Sequence, residues 1–207
     1  MLDELVKSRF IEMFGCLKKD TIELKDICTI ITDGTHQPPK FYSEGIPFLF
    51  VSNIINNEIR YKTDKYISRE DYEVLIKRTP IEVGDILLTT VGSYGNPAIV
   101  CSEQEFCFQR HIAYMKPIKK EVNSVYLHSA FLSDAVKRQI EIKVKGIAQK
   151  TLNLSELKTI RISLPPLDLQ NRFAAFVEVT DKSKFEIQKS LEKLETLKKA
   201  LMQQYFG

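Results

Sequence analysis

The chain has 207 residues, 43% of them hydrophobic and 28% charged, with a net charge of +3. That is ordinary globular composition, with room for one core domain and an appendage, and the overall charge alone does not announce a nucleic-acid binder. The longest apolar runs, such as Ile46 to Val51, fall far short of the ~20 residues of a membrane span. Asp3 and Glu4 stand where a secretory signal would carry basic residues. Cys16, Cys28, Cys101 and Cys107 lack C-x-x-C spacing, so reduced thiols and a cytoplasmic location are expected. His36, His111 and His128 are not spaced as zinc ligands, so no metal site is expected.

Residues 1–14 predict a helix, with Leu2, Leu5, Val6, Phe10 and Met13 at helical spacing and Gly15 just past its end. Leu24 to Thr32 reads as extended. It breaks into Asp33-Gly34-Thr35-His36-Gln37-Pro38-Pro39-Lys40, a dense run of turn formers. Ile46 to Val51 predicts a buried strand. Ile67 to Lys77 predicts a short helix, with Ser68 as N-cap and Asp71 at the third position. Val83-Gly84-Asp85 turns into a strand over Ile86 to Val91. The loop Gly92-Ser93-Tyr94-Gly95-Asn96-Pro97 and a strand over Ala98 to Cys101 follow. Phe106 to Lys116 alternates, which predicts one strand carrying Phe106, Phe108, Arg110, Ile112 and Tyr114 on one face. Asn123 to Val144 predicts a helix, with Leu132, Val136 and Ile140 four apart. Thr159 to Leu164 predicts a last strand before Pro165 and Pro166. The expected fold class is α+β: a mixed, strand-rich body with short helices, then a long C-terminal helix.

After the prolines no Gly or Pro appears until Gly207, which predicts a helix over Leu167–Phe206 on the order of 60 Å long. A heptad register places Phe173, Thr180, Ile187, Leu194 and Leu201 at one seam position. Val177, Leu191 and Tyr205 take the other, which Lys184 and Lys198 interrupt. This seam predicts a helical arm that pairs with another helix; an ordinary amphipathic helix lying on its own body is the alternative. The helix also repeats the start of the chain. Leu197-x-Lys199-Ala200-x-Met202-x-x-x-Phe206-Gly207 aligns without gaps on Leu5-x-Lys7-Ser8-x-Phe10-x-x-x-Phe14-Gly15, 192 positions apart. One unit cut from a repeated array would have this appearance.

Templates for catalysis fail one by one. The chain has no G-x-S-x-G, P-loop, H-E-x-x-H or G-x-G-x-x-G, and no nucleophile, base and orienter at recognisable spacing. A non-catalytic chain is expected. Recognition loops are better candidates. Thr35, His36, Gln37 and Lys40 place hydroxyl, imidazole, amide and ammonium on a Pro-stiffened loop suited to base edges and phosphates. Ser93, Tyr94 and Asn96 lie among glycines that let backbone approach a ligand. Arg110 and His111 sit side by side. Lys145, Gln149, Lys150 and Thr151 flank Gly146 within a segment, residues 137–161, whose seven basic residues against Glu141 and Glu156 give net +5. Clustered cations of that kind are the electrostatic footprint of a polyanion site. Taken singly, each loop also reads as a plain polar turn.

Several ordered stretches resemble type I restriction-modification specificity subunits. They are Asp33-Gly34-Thr35-His36-x-Pro38-Pro39, Gly45-Ile46-Pro47-Phe48-Leu49 and Gly84-Asp85-Ile86-Leu87-Leu88-Thr89. Gln109-Arg110-His111-Ile112-Ala113 and Leu164-Pro165-Pro166-Leu167-x-x-Gln170 complete the series, which covers essentially the whole chain. In that family two target-recognition domains alternate with two long spacer helices that pair antiparallel. The resemblance implies that residues 1–15 are the end of one spacer helix, 16–164 a target-recognition domain and 165–207 the next spacer. It implies binding of double-stranded DNA, reading of half of a split site, and docking of methyltransferase subunits, with restriction subunits able to join. S-adenosylmethionine, ATP and Mg2+ would belong to those partners and not to this chain. With one recognition domain instead of two, a homodimer is expected through Phe173, Val177, Ile187, Leu191, Leu194, Leu201 and Tyr205. The alternative is a protein-interaction or decoy module acting through the long helix.

Overall fold

The computed structural model describes residues 2–15, 21–146 and 150–206. In chain order the elements are α1 (Leu2–Phe14), β1 (Thr21–Glu23), β2 (Cys28–Asp33), β3 (Ile46–Leu49), β4 (Ile54–Ile55), β5 (Glu58–Ile59) and β6 (Tyr66–Ile67). There follow α2 (Arg69–Leu75), β7 (Ile86–Thr89), β8 (Pro97–Ile99), β9 (Cys107–Phe108), β10 (Ile112–Pro117), α3 (Ser124–Leu132) and α4 (Asp134–Lys143). The chain closes with α5 (Leu154–Lys158), β11 (Arg161–Ser163) and α6 (Leu167–Phe206). The fold is α+β, with a long C-terminal helix as expected.

The organising layer is an antiparallel sheet in the order β2-β10-β7-β8. Its side chains alternate between two cores, as the period of two demands. Ile86, Leu88, Ala113 and Met115 face a helical layer that includes Leu127, Phe131, Ile140 and Phe173. Leu87, Ile112 and Tyr114 face the opposite way, onto Leu49, Ile54, Phe106 and Phe108. A second sheet, β6-β3-β9, covers that face, with β3 and β9 parallel. Each large aliphatic side chain buried this way contributes about 1.5–3 kcal/mol.

Asp85, immediately before β7, is fully buried. It accepts from the Tyr114 hydroxyl at 2.7 Å and the Glu82 amide at 2.8 Å, and Lys116 Nζ lies 3.4 Å away. Burial raises its carboxyl above the usual range, against the pull of those donors.

Three stretches depart from the sequence expectations. Asn123 to Val144 is two helices, because Ser133 is extended (φ −69°, ψ 148°) and caps α4 by accepting from the Val136 amide. The expected strand over Phe106 to Lys116 is broken: Arg110 and His111 form a turn between β9 and β10, so they share no strand face with Tyr114. Leu24 to Thr32 is interrupted by a 3-10 turn at Leu24–Asp26. A hairpin, β4–β5, was not anticipated. It turns through Asn56 and Asn57, both at positive φ (54° and 64°), the conformation of a tight two-residue hairpin turn.

The start of α6 is seated in the body. Gln170 is fully buried: its side-chain oxygen accepts from the Asn123 amide at 2.9 Å, and its amide nitrogen donates to the Glu121 and Pro165 carbonyls. Phe173 lies in a ring cluster with Phe10, Phe14 and Tyr126, with centroids 4.8–5.6 Å apart. Arg9 sits over the Phe176 ring, so α1 runs antiparallel to this part of α6. Beyond the buried Thr180 the helix changes character: every residue from Asp181 to Tyr205 is exposed. Among the described residues no helix is long and apolar enough to cross a membrane.

Candidate nucleic-acid interface

Antiparallel pairing in the central sheet brings four strand ends to one edge. Asp33 at the end of β2 stands opposite Ala113, Ile112 opposite Thr89 at the end of β7, and Leu88 opposite Pro97. The loops leaving those ends are 34–40, 90–96 and 109–111, three of the four segments singled out from the sequence.

Backbone hydrogen bonds lace them into one row. The Thr35 amide donates to Phe108 O at 3.0 Å, and the Arg110 amide donates to Thr35 O at 3.0 Å. The Thr90 amide donates to His111 O at 2.9 Å. The fourth segment joins beside them, since the Leu152 amide donates to Thr90 O and the Gly92 amide to Lys150 O, while Lys145 and Thr151 exchange both bonds. Thr35, Arg110, His111, Ser93, Lys145, Lys150 and Thr151 therefore share one edge although they are spread over more than half the chain. Gln149 lies outside the described residues.

Individual side chains differ in how free they are. Thr35 Oγ1 donates to the Gln37 carbonyl, and Lys40 Nζ sits 5.2 Å from the centre of the Tyr42 ring. His36 Nε2 is 2.9 Å from Asp33 Oδ2, whose other oxygen is held by the Arg78 guanidinium. Arg110 Nε donates to His111 Nε2 at 3.2 Å; burial and that guanidinium push the imidazole below its usual range. Asn96 turns its amide back onto the Ser93 carbonyl, and Tyr94 packs on the helical core, so both brace their loop. The +5 segment is partly neutralised: Lys143 and Lys145 share Glu156, and Arg161 pairs with Glu23. Lys150 is exposed and has no ion pair among the described residues.

The sequence reading missed the residues that set the edge. Arg78, far off in the chain, clamps Thr32 and Asp33. Thr89 organises its loop by donating to Ser93 O and accepting from the Asn96 amide. Gly34 is required by crowding, since a Cβ there would lie 2.1 Å from Phe108 O and 2.5 Å from Gln109 O. The Asp-Gly pair was a visible signal for a turn, but its partner strand was not. Along α6, Phe173 and Val177 are engaged in the chain's own core, while Ile187, Leu191, Leu194, Leu201 and Tyr205 present an uncovered apolar seam. Among the described residues no group of three metal-ligating side chains comes together.

The family model for the type I restriction modification DNA specificity domain matches residues 17–199. The chain belongs to that family. This specificity-domain chain is 27% identical over 177 residues to the type I restriction enzyme EcoBI specificity subunit of Escherichia coli, covering 84% of the chain and 37% of the relative. It is also 27% identical over 191 residues to the putative type I restriction enzyme MjaX specificity subunit of Methanocaldococcus jannaschii, covering 89% of the chain and 44% of the relative. The chain thus spans less than half the length of these curated relatives. Its fold matches the HsdS subunit of Thermoanaerobacter tengcongensis with a TM-score of 0.61 at 17% identity, covering 99% of this chain and 50% of that one. The type I S subunit from M. genitalium matches with a TM-score of 0.52 at 16% identity, covering 89% of this chain and 47% of that one.

Proposed function

We propose that this specificity-domain chain reads one half of a split double-stranded DNA site with the loop-bearing edge of its central sheet. The convergence of 34–40, 90–96 and 109–111 with Lys145, Lys150 and Thr151 on that edge carries the reading. Hydroxyl, imidazole, amide and guanidinium groups there can meet base edges, while Lys150 and Lys40 meet phosphates. Residues 16–164 form the target-recognition unit and 165–207 the spacer. The chain carries no catalysis. Methylation and cleavage, with S-adenosylmethionine, ATP and Mg2+, reside in cytoplasmic methyltransferase and restriction subunits that assemble on it.

The bare seam from Ile187 to Tyr205 supports pairing with the same helix of a second copy. Two identical halves related by a two-fold axis would read a palindromic split site. The test is selection of bound duplexes from a randomised pool, by the chain alone and with its methyltransferase subunits. Enrichment of one split sequence with inverted halves is the expected result; binding without sequence preference would overturn the reading. That exposed seam also favours a second reading, a module acting through the helix alone. Charge reversal at Lys145 and Lys150 separates the two, because it leaves a helix-only activity unchanged.

A further inference from the structure

The loop-bearing edge continues past the residues named so far. The carbonyl of Leu49, at the end of β3, accepts from the Gln109 amide at 3.0 Å, directly beside Arg110. From there the chain turns through Phe50 to Asn53 and is met by a returning ribbon, residues 60–62. Asn53 joins them. Its buried side-chain oxygen accepts from the Phe50 amide at 3.0 Å, and its amide nitrogen donates to the carbonyls of Arg60 at 2.9 Å and Lys62 at 3.1 Å. Its own carbonyl accepts from the Arg60 amide at 2.8 Å. A single buried amide therefore uses its side chain three times to hold one short ribbon against the turn.

What the ribbon presents follows from which of its side chains are buried. Tyr61 faces inward, its ring 5.4 Å from that of Phe106 in the second core. Arg60 and Lys62, on either side, face outward and are exposed. Two of the cations on the edge have anions, Arg78 with Asp33 and Lys145 with Glu156, whereas Lys40, Arg110 and Lys150 form no ion pair among the described residues. Arg60 and Lys62 likewise form no ion pair among the described residues. By the same spacing the exposed Glu58 and Asp64 flank them, but among the described residues neither carboxylate pairs with Arg60 or Lys62. The brace therefore holds both cations open to an anion from outside the chain.

We infer that Arg60 and Lys62 form a phosphate clamp that grips the DNA backbone beside the stretch read by the edge. This inference rests on the DNA-reading proposal above. Phosphates carry no sequence, so the clamp contributes affinity and register but not base preference. Each lost phosphate contact lowers the slope of log affinity against log salt by about 0.9.

The experiment measures binding of the chain to a duplex between 50 and 200 mM salt for the wild type and for Arg60→Gln/Lys62→Gln. A matched control, Lys189→Gln/Lys193→Gln, removes two charges from the exposed part of α6. The expected result is a slope shallower by about 2 for the first variant, roughly a tenfold smaller loss of affinity across that range, with the selected sequence unchanged. Thermal midpoints should stay level, since both side chains are exposed. An unchanged slope while the wild type still binds selectively overturns the clamp and leaves the DNA reading intact. A changed sequence preference also overturns it, because it assigns the pair to bases. If the wild type binds no duplex even at the lowest salt, the reading beneath both fails.

Discussion

The edge of the central sheet and the outer part of α6 are two surfaces completed by opposite means. The edge is polar, and its loops are fixed from within by backbone ladders, the Asp33–Arg78 pair, the Thr89 hydroxyl and the Asn53 amide. It is organised before any ligand arrives, which reduces the ordering entropy that binding must offset. The outer helix is the reverse. Its backbone bonds to itself, yet its apolar seam from Ile187 to Tyr205 stays exposed among the described residues. Helices in proteins owe most of their stability to packing, and the proposed pairing would supply it to this surface.

The largest effect that could break this contrast lies within α6 itself. Phe173→Ala removes a fully buried ring from the cluster of Phe10, Phe14 and Tyr126 and should cost about 3–5 kcal/mol in denaturant unfolding. Leu194→Ala, in the same heptad position, should change unfolding of the dilute chain by no more than about 0.5 kcal/mol. An equal loss for both would show that the outer seam is covered after all.

On the edge, Gly34→Ala places a carbon against two backbone oxygens that cannot swing aside. Overpacking of that kind should cost about 1–3 kcal/mol. DNA binding should weaken while the mass by light scattering stays that of the wild type. A drop in mass would mean that the two surfaces are coupled.

Arg78→Ala should be smaller still in stability, under about 1 kcal/mol for an exposed pair. It frees Asp33 and the loop behind it, so a titration with selected duplex should show weaker binding out of proportion to the melting shift.

The smallest effect concerns acid. His128, on α3, is held below its usual range mainly by burial, against carbonyls of Pro97 and Asn57 and the charge of Asp181. The unfolded chain therefore takes up the proton first. Stability should be level above the unfolded value near 6.5 and fall as pH drops below it; the lowered His111 acts with the same sign. His128→Gln should flatten part of that decline in melts between pH 7 and 5, and an unaltered curve would assign it elsewhere.

Sequence carried local features well and distant ones poorly. The N-cap Ser68, accepting from the Asp71 amide, was legible because its partner is three residues away. The break at Ser133 was not, since a serine between two apolar-periodic runs fits a continuous helix until its hydroxyl is seen capping the next one. Parallel pairing of β3 with β9, and the reach of Arg78 to Asp33, join segments with no shared periodicity. Heptad spacing treated Phe173 and Leu194 alike, because periodicity reports a face and not what covers it. For the candidate interface, the loops were visible as turn chemistry. The braces beneath them, Asn53 and Thr89, look like ordinary polar residues until their hydrogen bonds are drawn.

The seating of α6 from Gln170 to Thr180 makes the rest of the helix a lever. From Thr180 to Phe206 it extends on the order of 39 Å. A tilt of one degree where it leaves the body carries the far tip through about 0.7 Å, so a small repacking around Phe173 and Val177 would be read out, enlarged, at the tip.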